Sequence, residues 1–137
     1  MTDCIFCKIV SGEIPSEKVY EDDTIFAFLD IAPLNPGHTL VVTKEHYENA
    51  LDVSDELLSA AIRTAKKIGN ALKNAVRADA VNIVINNGKE AGQIVPHFHI
   101  HVIPRFKEDG CVSWKRTESS TLPDTKMLGE KIRNSFV

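Results

Sequence analysis

The sequence has no long apolar run. Nothing in it approaches the roughly 20 apolar residues that cross a bilayer, which argues against a helical membrane span. Met1 to Gly12 lacks the basic-then-apolar pattern of a secretory leader, so a cytoplasmic protein with no membrane partner is expected. Cysteine is scarce, with only Cys4, Cys7 and Cys111. An odd count without a secretion signal argues against a disulfide framework. Positive charge is not in excess either: 16 Lys and Arg stand against 19 Asp and Glu, a net charge of −3. That balance lacks the basic footprint of a nucleic-acid binder, and no nucleic-acid partner is expected. A small phosphorylated ligand is still compatible, because it needs local donors and no global field. Repeats, low-complexity tracts and linkers are also missing.

What is present is ordinary for a globular chain: 43% hydrophobic and 26% charged residues over 137 positions. That length suits one domain covering 1–137, large enough to fold without disulfide staples. From about residue 106 the chain turns polar and irregular around an isolated Trp114.

Local signals give a coarse order of elements. Asp3 is a candidate cap for a short helix over Cys4 to Val10, with Gly12 as its stop. Lys18 to Glu21 and Thr24 to Leu29 read as strands around a turn at Asp22 and Asp23. Ala32 to His38, with two prolines and a glycine, reads as a loop, and Thr39 to Thr43 as a third strand. Ser54 to Arg77 is the clearest helix: Ser54 caps it, Asp55 and Glu56 suit its positive end, and Leu58, Ile62, Ala65, Leu72 and Val76 repeat at helical spacing. Val81 to Asn86 and Val95 to Pro104 are the remaining strands, and a weak helix is expected over Asp124 to Phe136. One long helix with adjacent short strands predicts an α+β fold with an antiparallel sheet.

The most informative run is His97-Phe98-His99-Ile100-His101-Val102-Ile103. On a strand, side chains alternate between faces, so three imidazoles share one face and three apolar residues the other. Aligned imidazoles suit metal ligation, or covalent catalysis with one ring as nucleophile and a neighbour handling protons or phosphate charge. They also suit a polar strand face with no special task. Ala91, Gly92 and Gln93 precede the strand, and glycine lets backbone N–H groups approach an anion closely. Asn86 and Gln93 add neutral donors that could stabilise charge on a reacting phosphoryl group.

The His-x-His-x-His-x-x run resembles the signature of the histidine triad family. Asp3 to Pro15, Phe28-Leu29-Asp30-Ile31, Pro36-Gly37-His38-Thr39-Leu40, and Asn86 with Gly92-Gln93 are similar to the family's bacterial members. The resemblance implies a homodimer in which two five-stranded antiparallel sheets join, each with one long helix and short terminal helices. It implies hydrolase or transferase action on the α-phosphate of a purine nucleotide conjugate. His99 would be the nucleophile and form a nucleotidyl-histidine, and His101 would contact the phosphate and assist proton transfer. Asn86, Gly92 and Gln93 would serve the phosphate or leaving group, and Asp30 the ribose hydroxyls. Ile5, Phe6, Ile9, Phe28 and Ile31 would form the slot for the base. Ile94 stands where some branches carry Ser or Thr. A nucleotide-binding regulatory protein with slow turnover is the rival reading, and a hydrolase using the three histidines as metal ligands is another.

Cys4-x-x-Cys7 has the spacing of half a zinc site. Bacterial relatives with this pair imply the full set Cys4, Cys7, His46 and His97, a closed structural zinc site pinning the N-terminal helix to the sheet. Cys111 is read as a bystander. His38 is a candidate second partner for the triad.

Overall fold

The structure is a computed structural model that describes residues 3–110, 116–118, 120 and 124–137. Five strands form one sheet: β1 (Lys18–Glu21), β2 (Ile25–Leu29), β3 (Thr39–Thr43), β4 (Ala80–Val84) and β5 (His99–Arg105). Their order is β1-β2-β3-β5-β4, and all four pairings are antiparallel. The helices are α1 (Ile5–Val10), α2 (Asp55–Ala75) and α3 (Thr125–Arg133). The expected α+β class and the order of elements therefore hold. Cys111 and Trp114 lie outside the described residues. Among the described residues no helix is long and apolar enough to cross a membrane.

Both faces of the sheet are covered, and the alternation of each strand shows how. Ile25, Ala27, Val41, Ile100 and Val102 turn to one side and pack under α2, with Ala61, Ala65, Ile68 and Leu72. Phe26, Phe28, Leu40 and Val42 turn to the other side, where α1 lays down Phe6 and Ile9. Each Val, Leu, Ile or Phe among them contributes on the order of 1.5–3 kcal/mol by leaving water. Near-continuous apolar strands such as Thr39 to Thr43 are what double coverage requires.

α2 begins where expected. The Ser54 hydroxyl accepts the Leu57 N–H at 3.2 Å, with Asp55 and Glu56 in the first turn. Its buried stripe is Ala61, Thr64, Ala65, Ile68 and Leu72; Ile62, expected in that stripe, is 41% exposed on the outer side. Gly69 faces β4 and β5 from this stripe, and a Cβ there would make ordinary contact with Val81 at 3.6 Å.

Two expectations about the site-bearing elements are corrected. The cap of α1 is Cys4, whose sulfur accepts the Cys7 N–H at 3.4 Å, and Asp3 lies one residue earlier. β5 starts at His99, so His97 belongs to the bend before it and the three histidines do not share one regular strand. The bend arises because the His97 N–H is taken by the Val95 carbonyl at 2.8 Å, while the Phe98 N–H reaches across to Tyr47 at 2.7 Å.

Candidate active site and metal centre

Cross-strand register sets the site. Phe26 lies opposite Val42, which lies opposite His99; Phe28 lies opposite Leu40, which lies opposite His101. The two histidines therefore extend the apolar rows under α1 towards the far edge of the sheet. Gly37, at φ +100°, brings the preceding loop in, because a Cβ there would meet Leu72 at 3.0 Å. That close approach delivers His38 to the end of β3.

The hydrogen bonds fix where each ring carries its proton. His99 Nδ1 lies 2.7 Å from the His97 carbonyl oxygen. A carbonyl only accepts, so Nδ1–H donates and Nε2 keeps its lone pair. His38 Nδ1 accepts the Leu34 N–H at 3.1 Å, which puts the His38 proton on Nε2. That N–H donates to His101 Nδ1 at 3.0 Å, so the His101 proton sits on Nε2. The rings of His99 and His101 are 4.9 Å apart, and Phe6 stands edge-on to His99 at 5.1 Å. Asp30 Oδ2 approaches His38 Nε2 at 3.7 Å, and Asp30 Oδ1 accepts the Ala32 N–H at 2.9 Å.

Burial keeps these rings neutral. His99 is pushed below the usual histidine range by burial, partly offset by its bond to the His97 carbonyl. His101 is pushed down to about 4, by burial first and then by His99 and His38. His38 is lowered by burial, and Asp30 opposes the shift. At neutral pH the site thus presents one free imidazole lone pair beside one imidazole N–H donor.

The metal candidates converge next door. His97 is fully buried, and its Nε2–H donates to the Thr43 carbonyl at 2.7 Å. Its Nδ1 lone pair then faces Cys4 Sγ at 3.3 Å and Cys7 Sγ at 3.5 Å. His46 Nδ1 lies 3.5 Å from Cys7 Sγ. All four ligand atoms lie within 4.8 Å of one another. A tetrahedral zinc ion with ordinary bond lengths separates a sulfur and a nitrogen ligand by about 3.5 Å. The donor set therefore fits zinc, and the carbonyl bond on the remote nitrogen is the usual brace of a metal-ligating histidine. His97 is pushed down to about 4, mainly by burial, which keeps its lone pair available. Burial also raises the Cys7 thiol, a shift that a bound dication would reverse. In a second cluster, Asp30, His38 and His101, the His38 Nε2–H is already donated to His101 Nδ1 and His38 Nδ1 already accepts the Leu34 N–H. His99 belongs to neither cluster among the described residues, which counts against three histidines gripping one ion.

The remaining expected site residues divide. Phe6, Ile9 and Phe28 pack together behind the histidines, whereas Ile5 is 44% and Ile31 95% exposed. Gln93 was expected to offer its amide to a phosphate. Instead Oε1 accepts the Gly88 N–H at 2.8 Å, and Nε2 donates to the Glu48 and Val95 carbonyls at 2.6 and 3.0 Å. Its side chain braces the loop and has no donor left over. Gly92, at φ +93°, leaves the Asn86 Nδ2 3.8 Å from where a Cβ would stand, so Asn86 is the amide beside the open loop. Sequence reasoning missed the carbonyls of His97 and Thr43, since a backbone oxygen has no signature.

The HIT domain family model matches residues 11–108. This chain belongs to the HIT family. Among its HIT relatives, an uncharacterized HIT-like protein of Borreliella burgdorferi is 54% identical over 80% of this chain and 81% of its own length. The adenosine 5'-monophosphoramidase HNT1 of Saccharomyces cerevisiae is 42% identical over 85% of this chain and 72% of its own. A Bacillus subtilis HIT family crystal structure has a TM-score of 0.89 and 39% identity, covering 98% of both chains. A zinc-bound histidine triad family protein of Mycobacterium smegmatis has a TM-score of 0.78 and 37% identity, covering 97% of this chain and 92% of that one.

Proposed function

We propose that this HIT protein is a nucleotide hydrolase or transferase acting at the α-phosphate of a purine nucleotide conjugate, through a covalent nucleotidyl-histidine on His99. The observation that carries the reading is the 2.7 Å bond from His99 Nδ1 to the His97 carbonyl. It leaves the Nε2 lone pair uncommitted to the ring's own bond and available as a nucleophile for phosphorus. When Nε2 bonds to phosphorus the ring becomes cationic, and a charge-assisted Nδ1–H···O=C bond is stronger than a neutral one. The carbonyl therefore stabilises the intermediate more than the free enzyme, which is the condition for lowering a barrier.

His101 donates its Nε2–H to a phosphoryl oxygen as charge builds there, and His38 holds that ring in the donating tautomer. Asn86 supplies a second neutral donor. The bond from phosphorus to the leaving group breaks, and the leaving group departs with a proton taken up from water. Water then attacks phosphorus and gives a proton back to solvent, balancing the one the leaving group took, the imidazole of His99 leaves with its lone pair, and a nucleoside monophosphate is released. Asp30 accepts from the ribose hydroxyls, and Phe6, Ile9 and Phe28 back the base, with Ile5 and Ile31 at its open side. The monophosphoramidase named among the relatives supports a phosphorus–nitrogen bond as one that is cleaved.

Cys4, Cys7, His46 and His97 would hold zinc in a closed, structural site, which supplies an anchor and no open coordination position. The protein acts as a cytoplasmic homodimer without nucleic-acid or membrane partners. The edge position of β4, with Ile83 46% exposed, supports sheet-to-sheet pairing there. Rapid quenching of the protein with adenosine 5'-phosphoramidate, followed by mass spectrometry of the His97–His101 peptide, tests the chemistry. An adenylyl mass gain on His99 that decays at the turnover rate is expected. Tight binding with no such adduct would favour the regulatory, slow-turnover alternative.

A further inference from the structure

The loop that brings His38 into the site has little apolar anchorage of its own. Ile31 is 95% and Leu34 67% exposed, and Ala32, Pro33 and Pro36 also face water. A segment that buries so few side chains opens easily unless polar contacts hold it. Within the loop, the His38 N–H donates to the Asn35 carbonyl at 3.0 Å, and the Asp30 N–H donates to the His38 carbonyl at 2.9 Å. Those bonds shape the turn without reaching β5.

The side chain that does reach β5 is Asn35, half-buried among exposed neighbours. Its Nδ2 donates to the Pro104 carbonyl and to Asp109 Oδ2, each at 2.9 Å, so both amide hydrogens have a partner. Asp109 is fixed in turn. Its Oδ2 also accepts the Arg105 Nε–H at 3.0 Å and the Phe106 N–H at 2.8 Å, and its Oδ1 accepts Arg105 Nη2 at 2.8 Å. Arg105, and then the Phe106 N–H, hold its carboxyl down to about 2, so it stays an acceptor at neutral pH. Pro104 and Arg105 end the strand that carries His99 and His101. Asn35 thus fastens the loop that carries His38 to the same strand as the ring that His38 orients.

We infer that Asn35 and Asp109 are positioning residues for the reaction: together they hold His38 where its Nε2–H meets His101 Nδ1, and so set the tautomer in which His101 donates from Nε2. The inference rests on the nucleotidyl-transfer reading above and adds two residues that touch no reacting atom. With the tether intact, the His101 Nδ1 lone pair accepts from His38 at 3.0 Å and the proton is confined to Nε2. With the tether broken, His38 drifts from that lone pair and His101 is free to carry its proton on Nδ1. Nε2 then has no hydrogen to offer a phosphoryl oxygen.

Three variants of the full-length protein test it. Asn35→Ala removes the tether, and Asp109→Asn sets an amide N–H against the donors that the carboxylate now accepts. Asp79→Ala is the comparison: Asp79 Oδ2 accepts the Lys107 N–H at 3.0 Å and braces the same turn without touching the loop. In the first two variants kcat for adenosine 5'-phosphoramidate should fall at least about tenfold with KM within about threefold, the scale of a small misplacement of a catalytic group. Asp79→Ala should change kcat by less than about twofold, as a surface staple remote from the reacting atoms does. Nitrogen NMR of isotope-labelled histidine should show His101 with its proton on Nε2 in the parent and in Asp79→Ala, and a mixture of tautomers in the other two. In a His38→Ala background, Asn35→Ala should cost no further kcat, because the two changes act along one path. Asp109→Asn carries the same test should Asn35→Ala not fold. A kcat loss with the His101 tautomer unchanged, an equal loss in Asp79→Ala, or a full additional loss in the His38→Ala background each overturns the inference. No turnover and no adduct on His99 in the parent removes the underlying reading instead, and the histidine spectra still decide whether Asn35 and Asp109 set the His101 tautomer.

Discussion

His97 serves His99 with its backbone while its side chain faces the metal cluster. Its carbonyl accepts the His99 Nδ1–H at 2.7 Å, and its own Nδ1 lies 3.3 Å from Cys4 Sγ. One residue thus couples the scaffold of the N-terminal helix to the tautomer of the proposed nucleophile. A side-chain change at His97 and one at His99 should therefore have different signatures.

His99→Asn keeps a donor for the His97 carbonyl but removes the imidazole lone pair. Turnover of adenosine 5'-phosphoramidate should fall by at least about a thousandfold, the scale of a lost covalent nucleophile. Nucleotide binding, measured by titration calorimetry, should change little. Activity within about tenfold of the parent would rule His99 out as nucleophile.

Asp30→Ala tests the ribose contact. Asp30 Oδ1 is held by the Ala32 N–H, and Oδ2 is the oxygen turned towards His38. Binding of adenylate should weaken by about 1.5–3 kcal/mol, the usual range for a lost charge-assisted hydrogen bond. Binding of the 2',3'-dideoxy analogue should barely change. An equal loss for both ligands would mean that Asp30 acts through His38 and not on the sugar.

The sheet and the long helix were legible in the sequence because they rest on local periodicity, while the His97–His101 run and Cys4-x-x-Cys7 stood out by residue type alone. Thr24 to Leu29 and Thr39 to Thr43 were read as strands from their β-rich composition, and the folded chain packs both of their faces. The bend at His97 was not legible, since it depends on the Val95 and Tyr47 carbonyls competing for two consecutive amides. Gln93 was misread for a similar reason: an amide before a strand suggests a ligand donor, and only the folded loop shows its three internal partners. Ile62 has helical spacing but lies on the wrong side of a stripe that small residues, Ala61 and Ala65, bring closest to the sheet.

The depressed His101 pKa makes a signed prediction about pH. Its value of about 4 in the folded chain compares with about 6.5 for a free histidine. Between those values the unfolded chain binds the proton and the folded chain does not, so stability increases with pH through the window. The contribution is complete above pH 6.5 and is lost as pH falls towards 4. Burial is the main cause of the shift, His99 and His38 deepen it, and Asp30 opposes it. His101→Asn removes the titration, so its deficit in chemical-denaturation stability against the parent should shrink as pH falls from 6.5 to 4. A deficit that stays constant over that range would contradict the shift.

The metal prediction separates anchoring from chemistry. The protein purified without chelators should carry about one zinc per chain, as a four-ligand site of this type requires. Cys7→Ser should lose the metal and lower the melting temperature, because a zinc ion on these ligands would tie α1 to His46 and His97 across the sheet. Phe6 rides on α1 and packs edge-on to both His97 and His99, at 5.9 and 5.1 Å. Loosening α1 should therefore raise KM for the nucleotide more than it lowers kcat, since the His97 carbonyl remains on the backbone to hold His99. Acidification should release zinc from the parent, because thiolate and imidazole ligands must both be deprotonated to bind. Zinc content near zero in the parent, together with cysteines that react freely with a thiol reagent, would show that these four residues do not form the site. A kcat loss in Cys7→Ser as large as that of His99→Asn would show instead that the cluster acts on the chemistry and not merely on the scaffold.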